Sequence, residues 1–93
     1  MSASIADTII AEVAARARIT AAEVRSDAHL VTEVGLSSLD VLAVLAFVEE
    51  RYRVLFPDEE LVHLSTVEKI ELAILERMTT QPPAKMPTSG EPG

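Results

Sequence analysis

The chain has 93 residues, no cysteine and a formal net charge of −7. The length allows one small domain of marginal stability, on the order of 5 kcal/mol. The missing cysteine excludes a disulfide framework, a thiolate zinc site and a cysteine nucleophile, and it fits a reducing, cytoplasmic setting. The charge is uneven: residues 33–76 hold ten acidic and three basic side chains, whereas residues 1–32 hold four and three. A nucleic-acid binder needs the opposite sign, and an acidic surface suits basic patches on partner proteins. The first twenty residues contain Asp7 and Glu12 and no basic stretch, so they do not read as a secretory signal. The longest apolar run, residues 41–48, is far shorter than the ~18 residues of a membrane span.

Residues 3–18 read as an amphipathic helix. Ile5, Ile9, Val13 and Ala17 recur every fourth residue, with Ile10 and Ala14 beside them. Ser4, three residues before Asp7, is placed to cap its start. Residues 19–37 form a long loop. Thr20 and Glu23 can start a short helical turn there, and Ile19, Val24, Leu30 and Val31 are expected to anchor the loop to the core. Gly35 ends it.

A second helix is expected over residues 38–53, with Val41, Val44, Leu45, Val48 and Tyr52 on one stripe. Pro57 stops the next segment, and residues 58–62 can make one or two turns. Ser65 and Glu68 have capping-box spacing for a last helix running to about Met78, whose stripe is Val67, Ile70, Ile74 and Met78. Residues 80–93 hold four of the five prolines and no large apolar residue except Met86, and read as a disordered proline-rich tail. The expected fold is therefore all-α. It is a small four-helix bundle, three main helices plus one short helix, with a long first loop, occupying residues 1–79.

The segment Glu33-Val34-Gly35-Leu36-Ser37-Ser38-Leu39-Asp40 carries the chemistry. Gly35 permits a tight turn, Ser37 is a good N-cap, and Asp40 stands three residues on to close a capping box. Ser38 then occupies the first helical position, beside unpaired backbone N–H groups and the positive helix end, a favourable place for a phosphodiester. On local chemistry alone the two serines could be nothing more than a helix start.

The segment resembles the carrier-protein signature Gly-x-Asp-Ser-Leu-Asp, whose serine accepts 4′-phosphopantetheine. Gly35, Ser38, Leu39 and Asp40 match, and Ser37 stands in place of the family's Asp. Glu49-Glu50-Arg51-Tyr52 resembles the acidic end of the family's second helix. Phe56-Pro57-Asp58-Glu59-Glu60 resembles its Ile-Pro-Asp-Glu-Glu stretch, and Leu64-Ser65-Thr66-Val67 the start of its last helix. The similarity runs over roughly residues 5–78. It implies an acyl carrier protein with a covalent 4′-phosphopantetheine arm on Ser38. The implied partners are a phosphopantetheinyl transferase and acyl-loading and acyl-transfer enzymes, and no catalysis is implied.

A second departure lies in the second helix, where Val41-Leu42-Ala43 stands where the family often has Glu. A helix apolar all round is normally a buried one. A small bundle cannot cover every face, so an exposed docking patch is expected, formed by Leu39, Asp40, Leu42, Ala43, Ala46, Glu49 and Glu50. Glu49 and Glu50 are expected to be solvated, and Asp58, Glu59 and Glu60 to form a charge cluster at a helix start. His29 and His63 lack metal-ligand spacing, so no metal site is expected. So short a chain hardly supports the concave site a Ser-His-Asp set needs. The reading is a monomeric, discrete carrier. A specialised pathway (polyketide, aminoacyl or modified-lipid synthesis) is preferred to fatty-acid synthesis because of Ser37 and Ala43. An unmodified helical interaction module is the rival from another class.

Overall fold

The computed structural model describes residues 4–80. Four α-helices follow in order: α1 (Ile5–Ala17), α2 (Ser38–Tyr52), α3 (Asp58–Leu61) and α4 (Val67–Thr80). A single 3-10 turn, Ala21–Glu23, sits in the long first loop. No strand occurs among the described residues. The proline-rich tail expected from residue 80 lies outside them from residue 81 onward, and α4 itself runs through Thr80.

The helix starts are set by side chains. Ser4 Oγ accepts the Asp7 N–H at 3.0 Å and opens α1. The helix is thus shorter than the 3–18 expected, because Ser4 is the cap and Arg18 the left-handed residue that closes it. Arg53, at φ 57°, closes α2 in the same way. Both are arginines in a conformation that usually favours glycine. The 58–62 segment contracts to the single turn Asp58–Leu61, and Val62 beyond it is exposed.

The last helix corrects the expected cap. Thr66, not Ser65, opens α4: its Oγ1 accepts the Lys69 N–H at 3.1 Å. Glu68 closes no box, and its N–H instead donates to the Ser26 carbonyl of the first loop at 3.0 Å. This register turns Val67, Ile70, Ala73 and Ile74 into the core. Met78 leaves it and is exposed, because a fourth-residue repeat advances 400° and drifts off the buried face at each step.

α1 packs on both α2 and α4. Ile9, Val13, Val44, Val48, Ile70 and Ile74 are fully buried between them. The long loop is tied down by the Leu30 N–H, which donates to the Ser65 carbonyl at 2.8 Å, and by the Leu36 N–H, which donates to the Leu30 carbonyl at 2.9 Å. Val24 and Leu30 are buried as expected, and Ile19 packs against the core edge. Val31 is exposed, however, and Leu36 is buried where Val31 was expected to anchor. Gly35 at φ +97° makes the reversal that brings Leu36 under the loop and delivers the chain to α2.

Candidate functional site

The start of α2 is a closed capping box. Ser37 Oγ accepts the Asp40 N–H at 3.1 Å. Asp40 Oδ2 accepts the Ser37 hydroxyl at 3.1 Å and the Ser37 N–H at 3.4 Å. Arg16 reaches across from α1, its Nη1 3.9 Å from Asp40 Oδ1 and its Nε bonded to Glu12 at 2.8 Å. Ser37 therefore has its oxygen engaged in holding the helix end. Ser38, the first helical residue, is exposed, and its hydroxyl has no partner among the described residues. The two adjacent serines thus have different chemical availability, and the cap accounts for it.

An apolar groove of about 290 Å³ opens at Ser38. Val41, Leu42 and Leu45 of α2 form one side, Leu61, Val62 and Leu64 the other, and His29, Leu30, Val31 and Ser65 complete it. Three segments meet there, residues 29–31, 38–45 and 61–65, anchored by the buried Leu30, Leu45 and Leu64. An exposed serine beside such a groove suits a covalently attached group that is polar at the attachment point and carries an apolar load.

The phosphopantetheine attachment site family matches residues 7–74 of the chain. The chain belongs to that family. It is a carrier protein and not itself an enzyme, and the family's members carry a covalently attached 4′-phosphopantetheine. Carrier proteins meet the enzymes that modify them and those that handle their acyl groups. The residues fit the prosthetic group: a free hydroxyl at a helix start, no acidic side chain lining the groove, and an apolar lining next to it. When attached, the arm supplies a terminal thiol for thioester formation.

The other expected carrier residues fall on one side of α2. Leu39 is 77% and Leu42 48% exposed, Ala46 is exposed, and Ala43 is half-buried. Their apolar character thus does not mean that α2 is buried all round; Val44, Leu45 and Val48 take the core side. Glu50 is exposed at the end of this face. Glu49 is not simply solvated: it is half-buried and its Oε2 accepts the Phe56 N–H at 2.8 Å. Of the acidic cluster, Glu60 is drawn onto Arg77 of α4, while Asp58 and Glu59 stay exposed. Among the described residues no group of three or more His, Asp or Glu is placed to hold a metal, and no helix is long and apolar enough to cross a membrane.

Sequence reasoning missed three side chains near this site. Arg77 secures α3 and the segment before it. His29 organises the loop at the groove, and Ser65 lines the groove. His29 acts locally, its Nδ1 accepting the N–H groups of Val31 and Thr32, whereas Arg77 reaches residues that only the fold brings near, and Ser65 meets the groove only through the fold.

Proposed function

We propose that Ser38 is the residue that bears the 4′-phosphopantetheine arm and that the chain shuttles acyl thioesters in a specialised pathway. One observation carries this reading: Ser38 presents an exposed, unpartnered hydroxyl at the capped start of α2, on the rim of an apolar groove. The capping carboxylate of Asp40 keeps Ser37 occupied, which leaves Ser38 as the acceptor. The helix start favours the phosphodiester through unpaired N–H groups and its dipole.

Leu39, Asp40, Leu42, Ala43, Ala46, Glu49 and Glu50 form the surface that meets the phosphopantetheinyl transferase and the acyl-handling enzymes. Its middle is apolar and its charges are confined to the two ends, with Glu49 half committed to Phe56. That distribution, together with Ser37 at the position before the acceptor, favours polyketide, aminoacyl or modified-lipid synthesis over fatty-acid synthesis. The protein acts as a cytoplasmic monomer, and residues 1–79 suffice as the carrier domain.

The test is intact mass after incubation with coenzyme A and a broad-specificity phosphopantetheinyl transferase. The expected result is a gain of one phosphopantetheine, abolished in Ser38→Ala. A wild-type chain that gains no mass, or a Ser38→Ala chain that gains it, overturns the assignment and leaves a helical interaction module as the reading.

A further inference from the structure

The groove beside Ser38 is not wholly apolar. His29 lines it, and its Nδ1 accepts the backbone N–H groups of Val31 and Thr32, both at 3.2 Å. A ring nitrogen that accepts two N–H bonds carries no proton, so the neutral ring carries it on Nε2. Nε2 is then a donor, and it has no partner among the described residues. Ser65 lines the same groove. Its backbone carbonyl is used by Leu30, but its hydroxyl is likewise without a partner among the described residues. Besides Ser38, two residues with an unpartnered side-chain donor thus line a groove whose other residues are all aliphatic.

A saturated hydrocarbon lying over these donors strips them of water and returns nothing, which is costly. A ligand with a carbonyl oxygen restores the bond. We propose that His29 and Ser65 donate to carbonyl oxygens of the group held in this groove, and that where the carbonyl lies on the acyl chain the pair selects an oxygenated load over a saturated one. This rests on Ser38 carrying the arm. The carbonyl has two possible sources, the amides of the arm itself or an oxygen on the acyl chain, such as that of a 3-oxoacyl group.

The experiment uses three forms of the full chain, each verified by intact mass: holo, octanoyl and 3-oxooctanoyl. It has two readouts. One is the nitrogen-15 and proton shift of the His29 Nε2–H with the Ser65 amide, relative to the apo chain. The other is the rate of thioester cleavage by hydroxylamine, each divided by the rate for the same acyl group on free pantetheine.

With an acyl-chain source, the 3-oxooctanoyl form shifts the His29 signal and is cleaved about three- to tenfold more slowly than the octanoyl form, the size of one or two modest hydrogen bonds. Ser65→Ala and His29→Asn then remove that difference and leave octanoyl unchanged. With the arm as source, the His29 shift is already present in the holo form, and Ser65→Ala diminishes it. His29→Asn retains an acceptor in place of Nδ1 for Val31 and Thr32 and replaces the Nε2 donor by an amide N–H one bond nearer the backbone, short of the position that Nε2 reaches. Ser65→Ala keeps the carbonyl that Leu30 uses, and so tests the proposal even if the first variant misfolds. Signals that are the same in apo, holo and both acyl forms overturn the proposal, as do variants that leave both the holo shift and the difference between the acyl forms at their wild-type values. A chain that takes up no arm overturns the Ser38 assignment and this inference with it.

Discussion

Arg77 of α4 holds its guanidinium 5.1 Å from the centre of the Phe56 ring, across the segment that joins α2 to α3. The same side chain donates from Nε to the Leu55 carbonyl at 2.8 Å and pairs with Glu60 of α3. α3 is only four residues long and cannot hold itself together as an isolated turn. It stays in place because Phe56 and Leu64 are buried on either side of it and Arg77 ties both its carboxylate and its entry to α4. Three interactions from one mostly buried cation are worth about 2 kcal/mol. Arg77→Ala should lower the unfolding free energy by about that much in urea titration. Arg77→Lys should recover less than half, since a point charge cannot fork between a carbonyl and a carboxylate while stacking on a ring. An alanine variant as stable as wild type would show the network to be idle.

Ser37 should matter to the helix and not to the chemistry. Removing its cap with Ser37→Ala should cost about 1 kcal/mol of stability, and Ser37→Asp should retain most of it. Both variants should still take the prosthetic group on Ser38, as located by peptide mapping of the modified chain. Recovery of the arm on Ser37 in the wild type would contradict the assignment.

Docking should depend more on apolar area than on charge. Exposed charge pairs contribute only ~0.2–1 kcal/mol each and weaken with salt, whereas buried apolar surface contributes about 25 cal/mol per Å² before association costs. The exposed middle of α2 presents Leu42 and Ala46, with Ala43 half-buried beside them. Titration of the pantetheinylated chain with its cognate enzyme should therefore weaken only mildly on raising salt. Ala43→Glu should reduce binding clearly, and it should improve recognition by fatty-acid enzymes. Collapse of affinity with salt, together with normal binding by Ala43→Glu, would show that docking is electrostatic.

A chain ending at Thr80 should melt within a few degrees of the full-length one. The core cluster from Ile9 to Ile74 is closed among the described residues, and residues 81–93 offer only Met86 as a large apolar side chain. A large fall in melting temperature would show that the terminal segment contributes to the fold.

What the sequence by itself determined is local. The stripes that make α1, α2 and most of α4 amphipathic, the Ser4 and Ser37 caps, the turn at Gly35 and the position of Ser38 all depend on residues within about four of one another, where backbone geometry alone fixes the neighbours. The exposed face of α2 also followed from the sequence, since a bundle this small lacks the volume to bury all of a helix. The tertiary structure decided the rest. Thr66 rather than Ser65 caps α4, because the register must turn Val67, Ile70 and Ile74 inward together. Val31 gives up its place in the core to Leu36 once Gly35 has reversed the chain. Glu49 is drawn from solvent to the Phe56 N–H, Arg77 to Phe56 and Glu60, and His29 and Ser65 to the groove at Ser38. The residues brought together in this way lie up to 36 apart in sequence, as His29 and Ser65 on the groove do. No periodicity or cap links such residues; only the packing of the core sets the distance between them.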